Sequence, residues 1–460
     1  MKTALLTLAL TLGASSALAQ TAEPAPAQTA PAQTGAAPAE QAIDVTDDSD
    51  WQNQTIAIPA FATNADVATQ TSAGSTAALG TALASVITAD LRNNGLFKPT
   101  GPASLPRPAL SQIQAPEFGT WGSRGDDMLI QGYVRAESDG QVTVGCYLYD
   151  VALKQQLAKA GWTLAPGEWR RAAHKCADMV YSRLSGESPF FDSKVAFIAE
   201  TGPKDRRLKR LAIMDSDGQN FTYLTTGQTT ALTPRWSPDY KSILYLSYFN
   251  GQPRIYILDP ATKTQRLLLS ARNPLFAPRW SPDGQWVLYS MAVAGNTDIY
   301  KIAAAGGSPV KLTDSPGIDI GGSFSPDGTR IVFESDRSGS QQVYVMNADG
   351  SNQKRISFFG GRGATPEWSP RGDQIAFTHI VGNLRIATMD PNGGSLRYLT
   401  DDWQDEAPTW APNGRVIQFF RTVKNTGRTS VWQVDLTGRN LRKLDTPVDG
   451  SDPAWGPLRP

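Results

Sequence analysis

The sequence predicts an N-terminal α/β domain followed by an all-β, six-bladed β-propeller closed by its own C-terminal strand. Three observations carry this expectation. A short aromatic-turn motif recurs six times after residue 190, at spacings of 44, 44, 44, 42 and 45, a period of the size of propeller blades. Each full period holds four short strand patterns. The two ends of the array are incomplete in complementary ways, so joining them leaves no open blade.

The segments before the repeats come first in the chain. Residues 1–19 read as an export signal. Lys2 supplies the positive end, and Ala4 to Ala17 is an apolar run too short to span a bilayer comfortably. Ala17-Leu18-Ala19 is an A-x-A cleavage site, so the mature chain is expected to begin at Gln20. No Cys follows that site, which argues against a lipoprotein anchor. No later segment is apolar for long enough to cross a membrane, so no direct membrane insertion is expected. Residues 20–42 are rich in Ala, Pro and Gln, cannot bury a core, and are expected to form a disordered tether.

Residues 43–188 carry the α/β pattern. Thr55 to Phe61 reads as a strand. Ser75 to Asn93 places Leu79, Leu83, Val86, Ile87 and Leu91 at helical spacing. Met128 to Ala136 and Gln141 to Tyr149 are strands flanking Asp139-Gly140, a hairpin signal. Gln156 to Leu164 extends the sheet. Pro166 opens a helix with Trp169, Ala173, Cys176, Val180 and Leu184 on one face, and Gly186 follows its end. Cys146 points to the apolar face of its strand, and Cys176 lies on the apolar stripe of the last helix. Two readings of this pair stand side by side: a disulfide, which an exported compartment permits, or two buried thiols acting as small hydrophobes.

Residues 189–460 are the propeller. Trp236-Ser237-Pro238-Asp239, Trp280-Ser281-Pro282-Asp283-Gly284, Phe324-Ser325-Pro326-Asp327-Gly328, Trp368-Ser369-Pro370-Arg371-Gly372, Trp410-Ala411-Pro412-Asn413-Gly414 and Trp455-Gly456-Pro457 fall in register. Each aromatic ends a first strand, and Pro-Asp-Gly makes the turn into the second. Residues 194–225 hold second, third and fourth strands without a first. Residues 452–456 supply a first strand with nothing after it. The repeated Trp is expected to fill the gap between blades. The Asp of the turn is expected to be a turn residue.

A search for chemistry finds little. Lys+Arg and Asp+Glu balance at 43 each, so no charge excess favours nucleic acid or an anionic membrane. The two histidines, His174 and His379, cannot form a multi-His metal site, and His174 is expected on a helix surface. No nucleophile elbow, P-loop or dinucleotide fingerprint is present. Asp401-Asp402 and Asp405-Glu406 read as solvated loops. No catalytic residue, metal or cofactor is therefore expected.

What remains is surface. The loops leading into each first strand are expected to gather at one end of the ring, around the channel. They hold Leu275, Phe276 and Ala277, with Arg279 close by; Ile318, Ile320 and Gly321; Arg362 and Ala364; and Glu406. Two readings apply to the apolar members: they form a protein-docking patch, or they fold inward and plug the channel.

The whole mature chain resembles the TolB family. The resemblance rests on the export signal, the α/β domain with its hairpin, the six-unit repeat and the junction Phe190-Phe191-Asp192-Ser193-Lys194-Val195-Ala196-Phe197-Ile198-Ala199-Glu200-Thr201-Gly202-Pro203, continued by Lys209-Arg210-Leu211-Ala212-Ile213-Met214-Asp215. It implies a periplasmic, monomeric protein of the Tol–Pal system. It implies docking of Pal, the peptidoglycan-associated lipoprotein, on the channel-mouth face, and of TolA through a short segment near the mature N-terminus. Contacts with other Tol and outer-membrane proteins are a further implication. The implied role is envelope integrity and outer-membrane constriction at division. By motif position, Ala277 and Ile320 match the Pal-contacting places, with Leu275, Phe276, Arg279 and Gly321 as neighbours; their side-chain types depart from the family's. Ile43-Asp44-Val45-Thr46 resembles the TolA-binding strand, here preceded by the tether. An exported hydrolase-associated propeller and a cell-wall-binding propeller are the alternatives.

Overall fold

A computed structural model describes residues 54–460. The signal, the tether and the Ile43–Thr46 segment lie outside the described residues. The α/β domain is built on a five-stranded sheet. Its elements are β1 (Gln54–Ala57), α1 (Thr76–Asn93), β2 (Phe97–Thr100), α2 (Phe118–Gly122), β3 (Met128–Ala136), β4 (Val142–Asp150), β5 (Gln155–Leu164) and α3 (Trp169–Ser185). The strand order is β2-β1-β3-β4-β5. β1 runs parallel to both neighbours, and β3, β4 and β5 run antiparallel.

β1 is shorter than the sequence pattern. Ile58 already sends its N–H to Thr100 O, Pro59 has none to give, and Phe61 donates to Gly80 O. That last contact also explains a glycine inside α1, because a Cβ at Gly80 would sit 2.4 Å from Phe61 O. β2 was not legible, since Pro99 interrupts any strand pattern.

Ser75 caps α1 by accepting from Ala78 N, and Gly186 ends α3 with φ 74°. Leu79, Leu83 and Ile87 of α1 and Ala173, Cys176 and Val180 of α3 pack with Ile130, Val144, Cys146 and Leu148 of the sheet. Cys146 and Cys176 are joined as a disulfide, with their Cα atoms 6.0 Å apart.

The propeller has six four-stranded sheets. Blade 2 is Thr230–Trp236, Ile243–Phe249, Gln252–Leu258 and Gln265–Ser270. Blade 3 is Leu275–Trp280, Trp286–Val293, Asn296–Ala303 and Val310–Lys311. Blade 4 is Asp319–Phe324, Arg330–Ser335, Gln342–Asn347 and Lys354–Arg355. Blade 5 is Arg362–Trp368, Ile375–Val381, Asn383–Met389 and Arg397–Tyr398. Blade 6 is Asp405–Trp410, Val416–Thr422, Thr429–Asp435 and Arg442–Lys443. Blade 1 takes Ser193–Thr201, Leu208–Asp215 and Thr222–Tyr223 from the start of the ring and Asp449–Leu458 from its end. The closing strand pairs antiparallel with Ser193–Thr201, from Asp449 opposite Glu200 to Leu458 opposite Ser193.

The repeated aromatics sit between blades, as the sequence leads one to expect. Trp236 packs with Ala196 and Ile198 of blade 1. Trp280 and Trp410 send their indole N–H groups to Arg235 O and Glu367 O of the preceding blades. In each Pro-Asp-Gly turn the Asp acts as a turn residue: Asp283 accepts from Ser281 Oγ and Gln285 N, and Asp327 accepts from Ser325 Oγ and Thr329 N.

One apolar cluster runs without a break from the α/β domain into the ring. It includes Phe190, Phe191, Val195, Phe197, Met214 and Trp455. The crossing segment is buckled by Asp178, whose carboxylate accepts the N–H groups of Phe190, Phe191 and Asp192 at 2.7–2.9 Å. Further ties reach turns on the same side of the ring: Arg170 pairs with Asp215 and Asp217, and Asn440 donates to Asn94 O. Asn413 donates to Tyr181 Oη and Ser188 O.

Two outcomes follow. Trp455→Ala, which empties the seam, is expected to lower unfolding stability by about 3–5 kcal/mol in denaturant titration; a loss below about 1 kcal/mol would show that this strand does not seal the ring. Replacing both Cys146 and Cys176 by Ala opens a loop whose ends are 30 residues apart. That is expected to remove about 3–4 kcal/mol by chain entropy, read from the same titration.

Candidate functional site

The innermost strands surround the channel, and each carries the same irregularity. Thr233, Ala277, Gly321, Thr365, Ala407 and Asp452 all have positive φ, between 44° and 73°. Each lies three residues before the blade's aromatic, and each coincides with a register shift against the second strand. These are β-bulges, which bend a strand and re-aim its side chains. Only Gly321 meets the positive φ without a Cβ; the other five hold a conformation that costs about 1–2 kcal/mol each. Such strain persists where the surroundings over-determine it. Here neighbouring blades hold the bulges: Thr365 N donates to Glu334 Oε2 at 2.8 Å and Ala407 N to Thr378 Oγ1 at 3.2 Å. This ring was missed in the sequence. Its signal was present: in five blades a Pro follows the bulged residue, at Pro234, Pro278, Pro366, Pro408 and Pro453.

In three blades the residue before the aromatic contacts the next blade. Ser323, Glu367 and Thr409 accept the backbone N–H groups of Trp368, Trp410 and Trp455 at 3.2–3.3 Å. Glu367 also reaches Arg279 at 2.5 Å. Arg279 belongs to blade 3 and Glu367 to blade 5, so this pair skips a blade and crosses the channel. Burial alone would raise the Glu367 carboxyl, but Arg279 and Arg235 hold it below its ordinary value. Burial pulls the Arg235 guanidinium down to about 10, with Arg279 adding to the effect. Glu334 faces no such cation, and burial pushes it up to about 7 despite the Thr365 N–H.

The candidate residues sit differently from their expected loop placement. Leu275, Phe276, Ala277 and Arg279, then Ile320, Gly321, Arg362, Ala364 and Glu406, all lie within innermost strands, because those strands begin earlier than the sequence pattern indicated. Leu275 is fully buried, and Arg279, Gly321 and Ala364 are buried too. Phe276, Ala277, Ile320, Arg362 and Glu406 are half-buried; burial raises the Glu406 carboxyl. Ile318 alone stands outside a strand and is 43% exposed.

Most of the ring's exposed large apolar residues lie beside these residues. Leu208, Phe249, Val293, Ile318, Phe358, Val381, Trp403 and Val423 are each at least 40% exposed, and Phe358 reaches 75%. All eight occupy hairpins between second and third strands or loops feeding a first strand. Both kinds of connection lie at one end of the ring, the channel mouth. The ties to the α/β domain use turns at the other end. Cations cover three of the rim aromatics: Arg254 over Phe249, Arg355 over Phe358 and Lys424 over Trp403, at 4.5–5.0 Å. Buried carboxylates pin the rim. Asp319 holds Arg337 at 2.6 Å, and Asp405 holds Arg421 through two contacts of 2.6 and 2.9 Å. Asp405 is thus fully buried in an ion pair and not in a solvated loop.

His174 is a second correction. It is 2% exposed, not a helix-surface residue, because Asp90 of α1 and Asp215 of blade 1 close over it. With Asp215 and Asp217 it forms a group of three ligand-type atoms within 4.8 Å of one another. Arg170 and Lys194 already pair with these carboxylates, so the compensating positive charge is supplied by side chains. Among the described residues no helix is long and apolar enough to cross a membrane.

The cross-channel pair yields a test of this geometry. Glu367→Gln, which strands buried Arg279, is expected to cost about 3–5 kcal/mol, and Arg279→Met with Glu367→Gln clearly less than the two single changes combined. Additive losses in a double-mutant cycle would mean that the two side chains do not meet.

Comparison with known proteins agrees with this architecture. The TolB amino-terminal domain family matches residues 41–157, and the TolB beta propeller domain family matches residues 181–459. The chain is 77% identical over 449 residues to the Tol-Pal system protein TolB 1 of Novosphingobium aromaticivorans, covering 98% of each. It is 63% identical over 409 residues to the Tol-Pal system protein TolB of Zymomonas mobilis, covering 89% of each. The crystal structure of TolB from Acinetobacter baumannii superposes with a TM-score of 0.76 at 28% identity, over 88% of this chain and 97% of that one.

Proposed function

The chain belongs to the TolB family of Tol–Pal system proteins, and from that premise we propose that it is a non-catalytic periplasmic scaffold that docks Pal on its channel mouth. The observation that carries this reading is the concentration of exposed large apolar side chains at the channel mouth, with only Leu267, Val310 and Leu441 of the described propeller residues exposed elsewhere. Eight large apolar residues rim the mouth, on connections whose bases are pinned by buried ion pairs. Apolar and aromatic groups on a stiff frame favour a protein ligand, since little ordering entropy is lost when the partner arrives. The α/β domain is tied to the opposite end and leaves this face open.

TolA is proposed to bind through Ile43, Asp44, Val45 and Thr46 by addition of an extended strand. In this reading the export signal ends at Ala19, residues 20–42 are the tether that precedes the segment, and the protein acts as a monomer. Linking the two partners through one scaffold would serve envelope integrity and outer-membrane constriction during division.

The test uses surface substitutions that spare the core. Ile318→Asp and Phe358→Asp are each expected to weaken capture of purified Pal by about tenfold or more while the melting temperature stays within a few degrees of the parent. Full Pal capture by both variants would sink the assignment of this face.

A further inference from the structure

We propose that His174 is a proton-operated clamp between the α/β domain and the propeller, closed when the imidazole is charged and loosened when it is neutral. The geometry is specific. His174 Nδ1 lies 2.7 Å from Asp90 Oδ2, on α1 of its own domain. Nε2 lies 3.7 Å from Asp215 Oδ2, at the end of the third strand of blade 1. One buried ring thus faces a carboxylate from each domain. A charged imidazole presents an N–H on both nitrogens; a neutral one presents a lone pair to one of the two carboxylates. Nε2 has no hydrogen-bond partner as placed, so the propeller-side contact is the looser one.

The surrounding charges come from every packed element. Asp90 is on α1, Arg170 and Asp178 are on α3, Lys194 is on the first strand of the ring, and Asp215 and Asp217 flank the turn after the third. Arg442 of blade 6 lines the same small cavity as Asp90 and Asp217. Burial opposes the charge on His174, but Asp90 and Asp215 outweigh it and hold the imidazole well above its ordinary 6.5. Burial also raises Asp90, and the two groups, 2.7 Å apart, titrate as a coupled pair. Asp178 is pushed up by burial to about 6, and Arg442 is pulled down by burial to about 10.

The direction follows from linkage. Below pH 6.5 both the clamped and the opened states carry the proton, and His174 contributes its full stabilisation. Above it, the opened state releases the proton and the clamped state keeps it, so rising pH favours opening. The opening constant is expected to grow about tenfold per pH unit until the clamped-state pKa is passed, and then to level off.

The protein itself allows a direct reading, because it holds two histidines. Histidine labelled with carbon-13 in the mature chain gives two imidazole signals, and His379→Gln identifies the second. Amide exchange of residues 88–93 and 215–220, corrected for the intrinsic pH dependence, reports opening at the junction. The expected result is a His174 signal that stays charged above pH 7, with junction exchange accelerating across its titration and the hairpins of blade 4 unaffected. Asp90→Asn should move the titration towards 6.5 and narrow the window of accelerating exchange. A His174 ring that is neutral at pH 7, or junction exchange that is flat through its titration, overturns the clamp.

Discussion

Everything in the ring depends on the pairing of Asp449–Leu458 with Ser193–Thr201. A propeller has one seam, and an open seam would present unpaired backbone on two strands. The last strand removes both edges and places Trp455 in the gap, where its indole N–H reaches Ser193 Oγ at 2.8 Å. The same strand spans the thickness of the ring. Asp449 at the mouth is held by Arg207 and Arg428, while Arg459, just past its other end, is held by Glu168 and Asp192 of the α/β side. Closure therefore also fastens the two domains.

A sealed ring makes the rest of the geometry possible. Arg279 and Glu367 meet because blades two apart are brought to a fixed separation across the channel. The positive-φ bulges at Thr365 and Ala407 are each held by a hydrogen bond to the preceding blade and cannot relax alone. The outcome is a rim whose hairpins and loops are mounted on a stiff frame. Exposed Phe358, Trp403 and Ile318 on such a frame form a surface that gains contacts with a partner without first having to order itself.

The junction has a different character. Its apolar part, from Phe190 to Trp455, is continuous and does not respond to pH. Its polar part is a compact set of buried charges around His174 and Asp178, whose protonation depends on pH. Stability at the junction is therefore divided between a permanent apolar seam and a small number of titrating contacts. The apolar rim and the junction lie at opposite ends of the same blades, joined by strands such as the closing one.

Local pattern was enough for the repeats. Six aromatic-turn units, the missing first strand before Lys194 and the spare one around Trp455 specify the number of blades and the manner of closure, because strand period, turn chemistry and chain order are properties of neighbours in sequence. The helix stripes through Leu83 and Val180, and the apolar placement of Cys146 and Cys176, were legible for the same reason. What local pattern could not reach was any contact between distant segments. The burial of His174 needs Asp90, 84 positions away, and the turn after blade 1's third strand. The meeting of Arg279 with Glu367 needs a closed ring, and the exposure of Ile318 against the burial of Leu275 depends on where each innermost strand begins. The sequence by itself determined the parts and their order; which polar side chains face one another, and which apolar ones face water, was decided only when the last strand closed the circle.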